Sequence, residues 1–264
     1  MDDRPELRSK YDAMARGMQS RGRLLVAFSG GVDSGLVAKV AHDALGDGAV
    51  AVITDAESLP RRELEEARAF AAEIGIPLRI VQVSELADSD YAANPSNRCY
   101  FCRTGLAIEL RKIARAEGFA AVADGVNLSD LGDDRPGIQA MDEAGVWHPL
   151  VEFGLAKADV RALAKALGLS FFDKPSNACL SSRIPHGTPI TVELLRRVEA
   201  AEGYLRVRGF RQVRVRHHGP TARIEVLPDE ISRLRAIHGE VADVLRALGY
   251  RETVIDPNGY RAKA

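Results

Sequence analysis

Apolar residues come in short continuous runs, separated by longer stretches in which they recur every three or four positions. The runs Leu24-Leu25-Val26-Ala27-Phe28, Ala49-Val50-Ala51-Val52-Ile53-Thr54, Leu78-Arg79-Ile80-Val81-Gln82-Val83 and Ala120-Ala121-Val122-Ala123 have strand length, and their largely unbroken apolar character predicts burial on both faces. Helical periodicity fills the gaps. Helices are predicted at about residues 4–21 (Leu7, Tyr11, Met14, Met18), from Ser34 to Leu45 before Gly46, and from about Pro60 to Ile74 before Gly75. Another follows Cys102 (Leu106, Leu110, Ile113) and ends at Gly118, and a further one runs from Ala156 to Leu167 before Gly168. Strands alternating with helices predict an α/β fold with a doubly wound parallel sheet.

Beyond this pattern, Pro175, Pro185, Gly187 and Pro189 punctuate an irregular stretch that contains Cys179, and a domain boundary is expected there, dividing residues 1–183 from 184–264. The remainder reads as a helix over Val192 to Val207, two alternating strands around a His218-Gly219-Pro220 turn, a helix after Pro228 and a strand near Thr253-Val254-Ile255. That order predicts a smaller C-terminal α+β domain. The pair His217-His218 reads as part of the turn, and Trp147-His148-Pro149 as packing at a strand end.

A chain of 264 residues has room for two such domains. Its formal net charge of -1 argues against a polycationic surface, so no nucleic-acid partner is expected. The opening MDDRPELRSKYDAMARGMQSRGR lacks the organisation of a secretory leader, and no apolar run approaches the roughly 20 residues that span a bilayer. No membrane association and a cytoplasmic location are therefore expected.

Chemistry concentrates first at Ser29-Gly30-Gly31-Val32-Asp33-Ser34, between a strand and a helix. Glycines there let the backbone approach a ligand, and the free amides and dipole of the helix start attract an anion such as phosphate. The stretch has neither the lysine of a Walker loop nor the spacing of a dinucleotide fingerprint. Asp33 would repel phosphate unless it caps the helix or a divalent cation, Mg²⁺ by preference, lies between them. At the carboxyl end of the second strand, where ligands of open parallel sheets collect, Ile53 and Thr54 are expected beside a nucleoside.

Ser29 to Ser34 resembles the SGGxDS signature of the PP-loop ATP pyrophosphatases, with the adenine nucleotide alpha-hydrolase-like fold. The resemblance implies a five-stranded parallel sheet and a loop that holds the β- and γ-phosphates of ATP while AMP passes to a substrate oxygen. It also implies that Gly125, Asn127 and Asp130, in a Gly-x-Asn-x-x-Asp element, lie near ribose and phosphates, with Gly125 facing nucleotide and Asp130 contacting Mg²⁺ or substrate. An ordinary acidic turn is the competing reading of Asp124 to Asp134. No role is assigned to Asp133, Asp134 or Arg135.

The cysteines are three: Cys99 and Cys102 in a Cys-x-x-Cys pair, and Cys179 in Ala178-Cys179-Leu180-Ser181-Ser182-Arg183. An odd number is ill suited to a disulfide framework. Three thiolates on an iron–sulfur cube leave one iron open to another ligand such as hydrosulfide. Alternatively Cys179 is itself the sulfur donor, with Arg183 favouring its thiolate, or all three are small buried hydrophobes. The combination resembles the LarE family of ATP-dependent sulfur transferases in nickel-pincer nucleotide biosynthesis, over nearly the whole chain. Some members sacrifice the cysteine matching Cys179, whereas others hold a [4Fe-4S] cluster on all three, the pattern present here. The resemblance further implies a small-molecule nucleotide substrate, pyridinium biscarboxylate mononucleotide, a homo-oligomer with a hexamer as one candidate state, and a downstream nickel-insertion protein.

In Gln212-Val213-Arg214-Val215-Arg216-His217, alternation buries Val213 and Val215 and sends both arginines to the other face, an anion site of forked donors. The resemblance supports Arg214 and Arg216, with Arg183, as contacts to the substrate phosphate, and Glu225 on the facing strand either orients an arginine or meets substrate. The candidate catalytic set is thus Cys179, Asp33, Arg214, Arg216 and Glu225. The competing functions are a tRNA thiolase, amide formation of the NAD or GMP synthetase kind, and a nucleotide-sensing module; neutral charge weighs against the first and the cysteines against the second.

Overall fold

The computed structural model describes residues 5–132, 135–176 and 178–261. Asp133, Asp134 and Asn177 lie outside the described residues. In chain order the elements are α1 (Pro5–Arg21), β1 (Leu24–Ala27), α2 (Val32–Leu45), β2 (Ala49–Asp55), α3 (Arg61–Ile74), β3 (Leu78–Gln82), α4 (Ser89–Ala92), α5 (Arg98–Glu117) and β4 (Ala121–Ala123). There follow α6 (Pro136–Glu143), α7 (Pro149–Glu152), α8 (Lys157–Ala166), α9 (Val192–Val207), β5 (Val213–His218), β6 (Thr221–Val226), α10 (Ile231–Ala236), α11 (His238–Ala247) and β7 (Glu252–Ile255). Among the described residues no helix is long and apolar enough to cross a membrane.

Contacts divide the chain into two compact units, Met1–Glu85 with Asn97–Asn177, and Leu86–Ser96 with Ala178–Ala264. In the first, a parallel sheet runs in the order β3-β2-β1-β4. The strands are apolar on both sides because each side has its own core. Leu24 and Val26 of β1 pack with α1, α2, α3 and α8, while Leu25 and Ala27 pack with α5 and Met141 of α6. The fifth strand that the resemblance implied is reduced to a single parallel bridge between Ala123 and Trp147. Pro149, without an N–H, opens α7 two residues later, so the ladder cannot continue.

In the second unit β5 and β6 form an antiparallel hairpin and β7 joins β6 in parallel. Val213, Val215, Ile224 and Val226 turn inward against α9, α10 and α11. His217 belongs to β5 and is buried, rather than lying in the turn. The unit begins earlier than residue 184 and takes in a segment from far up the chain: Tyr91 Oη lies 2.7 Å from Ser181 Oγ, and Asn94 Nδ2 donates to Pro185 O at 2.8 Å and Thr188 O at 2.9 Å. Asn94 adopts φ 57, a left-handed conformation that asparagine tolerates better than most residues.

Phe171, on the segment after α8, is buried in the core beside α2 and stacks on Phe70 of α3 with ring centroids 4.3 Å apart. Replacing Phe171 with Ala is expected to lower unfolding free energy by about 3–5 kcal/mol, read as a fall in urea midpoint at unchanged slope.

Candidate functional site

Strand order reverses between β1 and β4: successive strands step from β1 to β2 to β3, then β4 pairs on the other side of β1. The crevice at such a reversal, beyond the carboxyl ends of the strands, is where open α/β sheets receive ligands. Ser29 to Ser34 follows β1 there, and Asp124 and Gly125 follow β4. Gly30 takes φ +69, letting the chain turn into α2, whose N-cap is Gly31. Ser34 Oγ accepts from Ser29 N at 3.1 Å and stands 3.1 Å from Ser29 Oγ, which accepts from Gly31 N at 3.3 Å. Lys174 Nζ donates to Gly30 O at 3.0 Å and to Glu63 Oε2 at 2.8 Å, tying the loop to α3. The result is a pre-shaped turn at a helix N-terminus, suited to phosphate.

Asp33 does not cap α2, which has no side-chain cap. Its Oδ2 accepts from Lys157 Nζ, at the start of α8, and its Oδ1 from Asn127 Nδ2 at 3.3 Å. Lys157 therefore supplies the positive charge that an acidic residue beside an anion site requires. Gly125 has a packing reason to be glycine, since a Cβ there would stand 2.5 Å from Ser34 N. Asp130 is held in the loop, accepting from Asn127 N at 3.1 Å and pairing with Arg135. Ile53 sends its side chain into the core, so of the two residues expected beside the nucleoside only Thr54 offers a partly exposed side chain.

The helix carrying the Cys-x-x-Cys pair begins before it, not after it. With Asn97 as N-cap, Cys99 and Cys102 lie within the first turns of α5. Cys99 is exposed, and the Cys102 thiol donates to Glu85 Oε1 at 2.9 Å. Two thiols from one end of a helix suit a soft metal such as iron. Among the described residues, no group of three or more His, Cys, Asp or Glu side chains is gathered to hold a metal ion.

In the second unit Cys179 opens a short 3₁₀ turn, Leu180–Arg183. Arg183 is buried, and all three of its guanidinium nitrogens are engaged: Nε and Nη2 grip Glu202 at 2.8 and 3.2 Å, and Nη1 donates to Ala178 O at 2.6 Å, Cys179 O at 2.9 Å and Ser182 Oγ at 2.9 Å. Its guanidinium thus holds the cysteine turn. Arg216 adds Nη1 to Ser182 O at 3.0 Å and grips Glu225 at 3.1 and 3.0 Å, so Glu225 orients an arginine. Arg214 is buried with its guanidinium over the Tyr260 ring. Burial, then the charge of Arg183, lowers its pKa to about 10, which still leaves a cation at neutral pH.

The NAD synthase family matches residues 13–100, the stretch that contains the glycine loop. The pyridinium-3,5-bisthiocarboxylic acid mononucleotide synthase of Lactiplantibacillus plantarum is 37% identical over 257 residues, covering 97% of this chain and 93% of its own. The chain belongs to the LarE family of PP-loop enzymes. An uncharacterised protein of Synechocystis sp. is 46% identical over 97% of this chain and 96% of its own, and one of the component chains of the glutamine-hydrolysing GMP synthase of Methanococcus maripaludis is 28% identical over 62% of this chain and 56% of its own. Membership makes the protein an ATP-utilising enzyme, a sulfurtransferase, and implies use of Mg²⁺.

Several residues around the glycine loop and β4 carried no sequence signal. Lys157 and Lys174 look like ordinary surface lysines until the fold brings them to the loop, and His148, read as packing, bridges two carboxylates. The helix-start position of Lys157 was the only available clue.

Gly125→Ala is expected to weaken ATP binding about tenfold, measured by equilibrium titration, because the added Cβ pushes the β4 end off Ser34. Arg183→Met, which leaves the buried Glu202 carboxylate with Arg206 and the Val215 amide but without its bidentate partner, is expected to cost about 3 kcal/mol in urea unfolding, with part of the loss recovered in Arg183→Met combined with Glu202→Leu.

Proposed function

We propose that the protein converts a carboxylate of pyridinium biscarboxylic acid mononucleotide into a thiocarboxylate, with cleavage of ATP to AMP and pyrophosphate. The observation that carries this reading is identity along nearly the full length of both chains with a synthase of the bisthiocarboxylic mononucleotide. The geometry of the first unit supports it. A product in which sulfur replaces a carboxylate oxygen requires that oxygen to be made a leaving group, and a PP-loop is a device for doing so.

In this reading the amides of Ser29 to Ser34 seat the β- and γ-phosphates. A substrate carboxylate oxygen attacks the α-phosphorus, the bond to the β-phosphate oxygen breaks, and pyrophosphate departs, leaving an acyl-adenylate. Lys157, paired with Asp33, adds positive charge beside the departing pyrophosphate. A sulfur nucleophile then attacks the acyl carbon, AMP leaves with the former carboxylate oxygen, and the thiocarboxylate remains. Asp33, with Asp130 as a further candidate, would hold Mg²⁺, which supplies charge neutralisation between the phosphates. Arg214 and Arg216 bind the substrate phosphate, with Glu225 orienting Arg216.

For the sulfur, Cys99, Cys102 and Cys179 are the thiols that would hold a [4Fe-4S] cluster, which would supply an open iron for hydrosulfide. The same reading makes the protein a cytoplasmic homo-oligomer that passes its product to a nickel-insertion protein.

Anaerobically purified protein is expected to be brown and to carry about four irons per chain. Given ATP and the dicarboxylate mononucleotide, it should release AMP and pyrophosphate, and Cys179→Ser should abolish thiolation. Formation of ADP would overturn the activation step, retained thiolation in Cys179→Ser would overturn the role of that residue, and colourless protein whose Cys179 loses the mass of one sulfur on turnover would replace the cluster with a sacrificial donor.

A further inference from the structure

His148 stands between two carboxylates of the first unit, with Nδ1 2.6 Å from Asp124 Oδ1 and Nε2 2.9 Å from Asp142 Oδ1. Both partners are acceptors. A neutral imidazole has one N–H to give, and only the imidazolium donates to both at once. Asp124 is 3% exposed; its Oδ1 also accepts from Val126 N, while its buried Oδ2 has no hydrogen-bond partner among the described residues. Burying a carboxylate is costly unless a cation stands beside it, and the His148 ring occupies that place.

The two carboxylates sit on parts of the unit with different tasks. Asp124 leads into Gly125, which rests against Ser34 at the phosphate loop. Asp142 lies on α6, which packs along α5 at the thiol pair: a Cβ at Gly137 would stand 3.4 Å from the Cys99 carbonyl oxygen, and Tyr100 Oη donates to Glu143 Oε2 at 2.6 Å. We propose that the His148 imidazolium is a positioning residue that couples the nucleotide loop to the Cys99/Cys102 helix by holding Asp124 and α6 together. When the proton leaves, the remaining N–H stays with buried Asp124, and Asp142, whose side chain is 62% exposed, turns to water. The proposal rests on the reading of the loop as the ATP site.

Charge around the ring agrees. Burial alone would lower the His148 pKa, but the hydrogen bond and charge of Asp124, then those of Asp142, outweigh it, and the net shift is upward. On α7, Glu152 accepts from Trp147 Nε1 and pairs with Arg21 of α1. Because the folded-state value is raised, the stabilisation from this bridge is complete below the ordinary value of about 6.5 and is lost as pH rises through the raised one.

The full-length protein tests this with histidine ¹⁵N NMR and ATP binding from about pH 6 to 9. The wild-type imidazole is expected to titrate above the ordinary value, and Asp142→Asn to bring it down. Wild-type affinity for ATP should weaken about three- to tenfold along an alkaline limb with the same midpoint, a limb that moves with Asp142→Asn and disappears in His148→Gln. An imidazole that titrates at or below about 6.5, or a limb unchanged in either variant, overturns the proposal. Should His148→Gln not fold, Asp142→Asn alone decides. If the wild type binds no ATP at any pH, the nucleotide reading is what fails, and alkylation of Cys99 at fixed pH judges the coupling: a rate altered by Asp142→Asn supports it and equal rates overturn it.

Discussion

The nucleotide end of the first unit is governed by how closely two backbone segments approach at the carboxyl ends of β1 and β4. Gly125 rests against the Ser34 amide at a distance that admits no side chain. Once that contact is made, Asn127 reaches Asp33, and Lys157 meets the same carboxylate from the start of α8. The loop is held from behind as well, through the Gly30 carbonyl and Lys174. Backbone amides and the start of α2 give the turn its attraction for an anion, and the cation beside Asp33 comes from 124 residues away, so the turn itself keeps small residues and an acid.

The second unit solves a different problem, that of fixing one cysteine. Glu202, buried in α9, accepts from Arg183, Arg206 and the Val215 amide. Glu225 accepts from Arg216 and Arg223. Arg183 and Arg216 use their remaining donors on carbonyls of the turn that begins with Cys179. A nucleophile or ligand mounted on a turn gains directional accuracy from such support, since less motion has to be frozen when the reaction partner arrives.

Much of this was legible in the residues. The four strands appear as apolar runs because both sheet faces are covered, and the glycine loop announces itself through a strand–turn–helix order that few other functions require. What stayed hidden was pairing between distant positions. Spacing does not mark Lys157 as the partner of Asp33 or His148 as the partner of Asp124, since each pairing depends on strand order. The helix expected after Cys102 begins at Arg98, an early start that the apolar periodicity of Leu106, Leu110 and Ile113 does not mark. The Arg183–Glu202 pair is hidden for a related reason, since sequence proximity does not say that a buried glutamate engages the guanidinium.

The early segment around Asn94 has a bearing on biosynthesis. Gly187 and Ile190 donate to the carbonyls of Asn94 and Ala92, so this stretch pairs with residues made nearly a hundred positions later. On a ribosome the parallel sheet can begin to assemble while that segment protrudes from it unmatched, carrying Tyr91, a residue buried in the finished protein. The two units are therefore not beads that mature in order of synthesis, because completing the later one reaches back into chain already emerged. Long-range closure of this kind slows the final stage of folding relative to a simple tandem arrangement of the same size.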